Sequence, residues 1–377
     1  PTGPYRPENY HRHCQGPARY REALACSLNI PAVKVLQSLG GAAPLQRRLQ
    51  EWGVTTLPKE PDEYGLGLTI GNAEVRLIEL ANLYATLARM GEWRPYRLLC
   101  NADDPVRGQD PRAGLPALQP DLCWLIADML SDNAARIPAF GANSALRFNF
   151  PVACKTGTST DFRDNWAMGY TPEFTVGVWV GNFSGAPMRE VSGVTGAAPI
   201  LHDVMAYLHQ RFGTTWFERP ATIVEHPVHP LTGHRLAGLR AGAVMEKFIA
   251  SRLPQRESPD DYDAAGRVKL GPEYTEWASS VDNQLRDRVV LEGAGSLHLV
   301  SPQPGSTFLI DPDVPSSGLV PLVAIGSGPV KWESATLALR EQAGRTFAVG
   351  VEGRHELVAR DPGSGRSVTT WVVVKAL

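Results

Sequence analysis

The string Lys155-Thr156-Gly157-Thr158-Ser159 is the most chemically specific feature of the 377-residue sequence. It opens a segment rich in β-branched and aromatic residues, so we predict that it lies on a strand. An edge strand offers backbone N–H and C=O groups to an extended ligand, and Gly157 leaves room for its approach. The Lys155 ammonium and two hydroxyls would form a compact pocket for a carboxylate. The string therefore predicts a site for a peptide C-terminus; the alternative is a strand end with a solvated lysine.

A second candidate is the tripeptide Ser27-Leu28-Asn29. Local patterns predict a short helix over Pro17–Cys26 and another from Pro31 to Leu39, so the tripeptide is a tight interhelical connection. A hydroxyl and an amide held in such a turn can transfer a proton and bind an amide carbonyl. Taken alone, the same residues are also consistent with a helix cap.

A literal Ser-Asp-Asn occurs at Ser131-Asp132-Asn133, a combination that accompanies Lys-Thr-Gly in some enzymes that transfer acyl groups through a serine. However, Ser131 directly follows a helix predicted from about Asp121 to Leu130, and serine and asparagine are common at helix ends. We interpret this tripeptide as structural.

Two weaker patterns complete the list of candidates. His226, His229 and His234 have a loosely metal-like spacing, but they lie in a proline-rich segment without a neighbouring cysteine. We therefore predict no metal and no cofactor. Arg163 and Asp164 follow the lysine string closely, and the sequence leaves open whether they line a cleft or form an ion pair in a turn.

The composition bounds the class of protein. Hydrophobic residues make up 43% of the chain, enough for packed cores in roughly two to three domains of about 150 residues. A net charge of −2, from 37 basic and 39 acidic residues, argues against nucleic acid as a partner. The five cysteines are scattered without the spacing of a metal site or a disulfide framework. No apolar run is long enough to predict a membrane span.

The elements that must position these residues fall into three predicted parts. Residues 1–212 alternate helical and strand signals, with Asn72 as the expected cap of a helix that ends at Gly91. Three strands form an antiparallel meander that a helix near Pro199–Phe212 covers: Val152–Thr158, Asn165–Tyr170 and Phe174–Val180. We predict that residues 213–294 form an extended connector and that residues 295–377 form an all-β, immunoglobulin-like sandwich of short strands.

Several runs follow one another along the first part of the chain: Tyr20-Arg21-Glu22-Ala23-Leu24, Ser27-Leu28-Asn29-Ile30-Pro31-Ala32-Val33, Gly65-Leu66-Gly67-Leu68-Thr69-Ile70-Gly71, Cys154-Lys155-Thr156-Gly157-Thr158-Ser159, Arg163-Asp164-Asn165-Trp166, Gly169-Tyr170 and Val178-Trp179-Val180-Gly181. In order and spacing, these runs resemble the transpeptidase domain of class A penicillin-binding proteins. The connector and sandwich resemble those of the 1C type, so the likeness covers nearly the whole chain.

The resemblance implies an α/β (α+β) protein: an α/β/α transpeptidase fold with an antiparallel sheet. It also implies residence on the periplasmic side of the inner membrane, and acyl transfer from D-Ala-D-Ala stem peptides of peptidoglycan, with β-lactams as acylating ligands. Ser27 would shuttle a proton, and Asn29 would hold the backbone of the acyl donor. Lys155 and Thr156 would bind the terminal carboxylate and tune the proton network. The Thr158 N–H would donate to the oxyanion, and its hydroxyl would also reach the carboxylate.

The chain departs from the family pattern at the nucleophile, which the family carries in a Ser-x-x-Lys motif. No serine here has lysine three residues later; the nearest imitation is Ser327 followed by Lys331. We expect a C-terminal part whose upstream segment carries the nucleophile, a glycosyltransferase domain and a membrane anchor, in the same or a separate chain. The alternatives are a catalytically inactive peptidoglycan-binding or assembly-platform protein, and a serine β-lactamase.

Overall fold

The computed structural model describes residues 9, 14–98, 117–159, 162–188, 192–292, 297–310, 318–325, 329–342, 345–363 and 365–376. The chain divides into two compact units: residues 18–256, and residues 1–17 together with 257–377. Within the described residues, no helix is both long and apolar enough to cross a membrane.

Helices dominate the first part of the 18–256 unit. Before the central sheet the chain also forms a 3₁₀ segment, Gly65–Ile70. The helices are α1 (Tyr20–Ala25), α2 (Asn29–Ser38), α3 (Ala42–Glu51), α4 (Pro61–Tyr64), α5 (Leu77–Ala88), α6 (Pro120–Ser131), α7 (Asn133–Phe140) and, after the sheet, α8 (Ala197–Phe212).

The central sheet is the predicted meander, with strands β1 (Ala153–Thr158), β2 (Asp164–Tyr170) and β3 (Thr175–Gly181) in the order β1-β2-β3. Both pairings are antiparallel. Because side chains alternate between the faces of a strand, Ala153 and Cys154 point to opposite sides of the sheet. This alternation lets β1 contribute to two separate cores.

Helices cover both faces of the sheet. On one face, Leu201 and Met205 of α8 are completely buried in a cluster that includes Cys154. On the other face, Ala127 and Leu130 of α6 pack in a cluster that includes Ala153 and Tyr170. Burying a large apolar side chain contributes about 1.5–3 kcal/mol, so β1 is held firmly from both sides. The α/β/α arrangement expected for this part is confirmed.

Several element boundaries differ from the sequence predictions. The second helix begins at Asn29 rather than Pro31, so Asn29 lies on its first turn. The capping prediction for Asn72 is wrong, because α5 begins only at Leu77 and the Asn72 amide donates instead to the Tyr64 carbonyl at 2.7 Å. Helices α3, α4 and α7 were not predicted.

The first part of the predicted connector is an ordered hairpin. Strands β4 (Ile223–Val228) and β5 (Val244–Ile249) pair antiparallel and belong to the 18–256 unit. Ile223 and Ile249 pack with Trp124 of α6 in a small apolar cluster. The three-part division at residues 212 and 294 remains a proposal; residues 1, 294 and 377 lie outside the described residues.

The second unit is built mainly of strands. A short parallel pair, β6 (Val268–Leu270) and β7 (Val289–Leu291), flanks helix α9 (Thr275–Ser279). The remaining strands are β8 (His298–Ser301), β9 (Ser306–Ile310), β10 (Leu319–Ile325), β11 (Lys331–Glu333), β12 (Ala338–Gln342), β13 (Arg345–Val349), β14 (Gly353–Asp361) and β15 (Arg366–Ala376).

Strands β8 to β15 form two four-stranded sheets, ordered β12-β13-β10-β8 and β11-β14-β15-β9. A shared apolar core contains Val320, Leu322 and Ala348 from the first sheet and Leu357 and Val372 from the second. The expected all-β portion after the transpeptidase-like part is therefore confirmed.

We predict that residues 295–377 fold alone, because their two sheets enclose a core of their own. The isolated segment should show β-type circular dichroism and cooperative thermal melting. Leu357→Asp should abolish the transition, since an unpaired carboxylate in a core costs several kcal/mol. Val351→Asp, at a position 54% exposed, should melt nearly like the parent. A disordered amide NMR spectrum of the parent segment would refute the prediction.

Candidate active site

The structure brings together two of the predicted site residues, Ser27 and Lys155. The Lys155 Nζ donates to Ser27 Oγ at 2.6 Å and to the Thr156 carbonyl at 2.6 Å. Lys155 lies on β1, whereas Ser27 lies in the turn between α1 and α2. Tertiary packing therefore creates a hydroxyl–amine pair from residues 128 positions apart.

The turn at Ser27 is a helix-ending Schellman motif. The Ser27 N–H donates to the Leu24 carbonyl at 3.2 Å, and the Leu28 N–H donates to the Ala23 carbonyl at 2.9 Å. Ser27 has a φ of +57°, the left-handed conformation that usually selects glycine at this position. A residue with a Cβ costs about 1 kcal/mol there, so the hydroxyl is held on a strained backbone.

The environment of Lys155 favours the neutral form of its amine more strongly than bulk water does. Burial, reinforced by the positive charge of Arg136, lowers the pKa of the Lys155 ammonium to about 8. The guanidinium of Arg136 is only 3% exposed and donates to the Leu146 carbonyl at 3.0 Å and to Asn133 Oδ1 at 3.1 Å. Among the described residues, no carboxylate lies within ion-pair distance of it. Lys155 is therefore poised to exchange a proton near neutral pH.

The other residues of the string have distinct surroundings. A Cβ built on Gly157 would make ordinary van der Waals contact with Trp166, the nearest atom at 3.6 Å. Among the described strands β1 pairs only with β2, so it is an edge strand of this sheet. Thr156 is buried. The Thr158 Oγ1 accepts the Gly193 N–H at 2.9 Å, which leaves the hydroxyl hydrogen of Thr158 available to a ligand.

Sequence reasoning missed the part that Gly193 plays. A Cβ at Gly193 would lie 2.7 Å from the Gly157 carbonyl oxygen, so only glycine fits this close approach to β1. The glycine lies in the turn that precedes α8, and nothing in its local sequence indicates a contact with the lysine strand.

Asn29 is the first residue of α2, two positions after Ser27, and is partly buried. It is therefore a near neighbour of Ser27 in sequence. The roles predicted for Ser27, Asn29 and Lys155 in catalysis, and for Thr156, Gly157 and Thr158 in binding, remain predictions.

The Ser131-Asp132-Asn133 string has a structural use for each side chain. The Ser131 hydroxyl donates to the Asp128 carbonyl of its own helix at 3.1 Å. Asp132 caps α7 by accepting the Ala135 N–H at 2.9 Å, and Asn133 accepts a bond from Arg136. These contacts support the structural interpretation of the string.

Asp164 also has structural partners. Its carboxylate accepts the Trp179 indole N–H at 2.9 Å and a bond from the Ser159 hydroxyl at 3.1 Å. These bonds tie the ends of the three strands together.

The described residues contain no group of three His, Cys, Asp or Glu side chains arranged to hold a metal ion.

Comparisons with known proteins agree with this architecture. The chain is similar to penicillin-binding protein 1C of Escherichia coli K12, with 33% identity over 210 residues covering 56% of this chain and 26% of that protein. It is similar to penicillin-binding protein 1A of Clostridium acetobutylicum, with 28% identity over 209 residues covering 54% of this chain and 25% of that protein. The chain thus spans about a quarter of the length of these relatives.

A solved structure shows the same fold. The crystal structure of penicillin-binding protein 1A from Haemophilus influenzae matches with a TM-score of 0.54 and 22% identity, covering 67% of this chain and 43% of that chain. No family model matches the chain.

The strained turn makes a prediction about stability. Ser27→Gly and Ser27→Ala both remove the hydroxyl that Lys155 contacts, but only glycine relieves the left-handed backbone. We expect Ser27→Gly to unfold with a free energy about 1 kcal/mol higher than Ser27→Ala in urea titrations. Equal stabilities of the two variants would show that residue 27 is not left-handed in solution.

The lowered pKa of Lys155 predicts a pH dependence. Because the folded-state value of about 8 lies below the ordinary 10.5, the folded protein bears a cost for the charged amine below pH 8, and the cost disappears as the pH rises to 10.5. Relative to Lys155→Met, the parent should therefore gain roughly 1–3 kcal/mol of stability between pH 7 and 10.5. Denaturant titrations of both proteins across this range measure the gain. Parallel curves would contradict it.

Proposed function

Because this chain is homologous to the class A penicillin-binding proteins 1C and 1A, we propose that it is part of a peptidoglycan D,D-transpeptidase. The homology itself supports a role in the transpeptidase family. The observation that carries the finer proposal is the 2.6 Å contact between the Lys155 amine and the Ser27 hydroxyl, on a strand that lies at the edge of the described sheet. The substrates would be stem peptides ending in D-Ala-D-Ala on the periplasmic side of the inner membrane, and β-lactams would acylate the same site.

The geometry suggests how the acyl donor would be held. An extended peptide would pair with the edge of β1, with its carboxylate near the Lys155 ammonium and the Thr158 hydroxyl. The Thr158 N–H would donate to the oxyanion that forms on the penultimate residue. Asn29, at the start of α2, would bind the donor backbone.

In the proposed acyl transfer, a serine hydroxyl attacks the carbonyl of the penultimate D-Ala. The lysine of the same Ser-x-x-Lys segment would take the proton of that hydroxyl, while the Lys155 ammonium holds the donor carboxylate and the Ser27 oxygen. The Ser27 hydroxyl would then relay a proton from the segment's lysine to the departing amine. The new ester forms as the C–N bond to the terminal D-Ala breaks.

We further propose that the attacking serine belongs to a Ser-x-x-Lys segment outside these 377 residues, since no serine in the sequence has the required lysine. Two surfaces are consistent with additional chain here. In the part of the chain that the structure describes, β3 pairs only with β2, so its outer edge is available. The apolar side chains Ile200, Val204 and Tyr207 form an exposed stripe at helical spacing along α8.

The missing motif also favours a second candidate function. A catalytically inactive peptidoglycan-binding or assembly-platform protein would keep the peptide-binding edge of β1 and would lack the nucleophile. The two candidates differ in whether a covalent adduct can ever form.

The first test is labelling with a fluorescent penicillin. The purified 377-residue chain should form no covalent adduct on long incubation, because its site lacks a nucleophilic serine. Adding the residues that precede Pro1 in the source protein, on the same chain or as a co-folded segment, should restore labelling. An adduct on this chain alone would overturn the proposal, and a full-length protein that never labels would favour the binding platform.

Reversible binding of an acetylated peptide ending in D-Ala-D-Ala tests the proposed peptide site on β1. Lys155→Ala should weaken binding at least about tenfold, since a charge-assisted contact to the carboxylate is lost. Lys269→Ala, which removes the same charge from the other unit, should bind like the parent, and a C-terminally amidated peptide should bind weakly to all three. Equal affinities for Lys155→Ala and the parent would exclude Lys155 from the site.

A further inference from the structure

The β4–β5 hairpin is bonded directly to the helix that carries the Ser27 turn. Glu246 of β5 accepts hydrogen bonds through Oε1 from Arg21 Nε at 2.9 Å and Arg21 Nη2 at 2.8 Å. Its second oxygen, Oε2, accepts a bond from Arg19 Nη1 at 2.9 Å. The side chains of Arg21 and Glu246 are 8% and 10% exposed. Burial of this kind makes the bonds strong and their loss costly.

The same guanidinium also contacts α6. Arg21 Nη2 lies 2.7 Å from Asp128 Oδ2, and Lys247 of the hairpin lies 2.5 Å from Asp128 Oδ1. Arg21 Nη1 reaches Asp132 at a longer distance of 3.3 Å. Helix α1 is thus tied to the hairpin and to α6 by a network in which the Glu246 carboxylate accepts two bonds from Arg21 and one from Arg19, the residue that precedes α1.

Helix α1 depends on such contacts for its position. It contains six residues, and isolated helices shorter than about 12–15 residues are marginal in water. Apolar packing also holds it: Ala23 and Ala25 are buried, Leu24 packs at the margin of the α6 cluster, and the Cys26 thiol contacts the Ala135 carbonyl at 3.1 Å. The charge network adds directional contacts to this packing.

The path from the network to the site is short. The carbonyls that hold the turn belong to Ala23 and Leu24, two and three residues after Arg21. A shift of α1 therefore moves the acceptors of the Ser27 and Leu28 N–H groups, and with them the Ser27 hydroxyl. The Ser27–Lys155 contact spans only 2.6 Å and tolerates little displacement.

We infer that Glu246, which lies outside the predicted transpeptidase region, is a positioning residue that holds Ser27 against Lys155 through Arg21 and α1. The inference deepens the proposed function, on which it rests for the meaning of the Ser27–Lys155 pair. The hairpin is then a working part of the site rather than a spacer between two domains.

The test compares two glutamates of one hairpin. Glu246→Gln keeps the size of the side chain and weakens the bonds to Arg21 and Arg19. Glu225→Gln is the matched control, because Glu225 pairs with Arg219 at 3.0 Å and that pair does not involve α1. Two readouts on the ligand-free 377-residue protein report on the turn: the NMR titration midpoint of Lys155, and the hydrogen exchange rate of the Leu28 amide.

In Glu246→Gln we expect the Lys155 midpoint to rise by at least about half a pH unit, because a displaced Ser27 admits water to the amine. The Leu28 amide should exchange at least about tenfold faster as the turn loosens. Glu225→Gln should leave both values unchanged. A Glu246→Gln protein with a lower melting temperature and parental values for both readouts would overturn the inference, as would equal changes in both variants.

A milder variant covers the case in which Glu246→Gln fails to fold. Arg19→Gln removes the bond to Glu246 Oε2 and the Arg19–Glu22 ion pair at 2.7 Å, and it leaves both Arg21 bonds to Glu246. It should therefore move both readouts in the same direction by smaller amounts. A folded Arg19→Gln protein with parental values for both would overturn the inference. These measurements use no ligand, so they are independent of peptide binding. A chain that shows both changes but binds no peptide would refute the proposed function, whereas the inferred coupling between Glu246 and Ser27 would still hold.

Discussion

The buried guanidinium of Arg21 joins three parts of the 18–256 unit: α1, on which it lies, α6 through Asp128, and the β4–β5 hairpin through Glu246. Burial alone would lower the pKa of Arg21, but the hydrogen bonds that it donates to the carboxylates of Glu246 and Asp128 raise it, so the group stays charged. A buried ion pair adds little net stability compared with apolar packing, yet removing one partner costs about 3–5 kcal/mol. The network therefore acts mainly by specifying where α1 lies.

That specification matters because the site contains two locally unfavourable features. Ser27 occupies a backbone conformation that suits glycine, and Lys155 is held near Arg136 without a neutralising carboxylate among the described residues. Neither would persist on an isolated turn or strand. They persist here because β1 is packed between α6 and α8 and because α1 is held by buried apolar residues and by the bonds of Arg21. Departures from local preference of this kind are typical of functional sites rather than of structural ones.

The sequence predicted the sheet, its covering helix and the two strings of the site, because strand alternation and short motifs are local signals. It could not predict the bonds of Arg21 to Glu246, which are 225 positions apart. The hairpin was hidden by its weak periodicity, and α7 by the proline at Pro138 inside it. The cap expected at Asn72 failed because α5 begins only at Leu77, with Arg76 in the capping position. The misses thus have two causes: contacts between residues far apart in sequence, and local patterns that are weak or misleading.

The contacts that organise the pair Ser27 and Lys155 all come from residues 18–256. The turn is closed by the carbonyls of α1, the lysine strand is packed by α6 and α8, and Thr158 is oriented by Gly193. Under the proposed function, the groups that would bind and polarise the acyl donor are thus preorganised without the nucleophile. Preorganised dipoles and charges need no rearrangement during reaction. A segment that brings the serine and its lysine would then meet a donor site that is already formed.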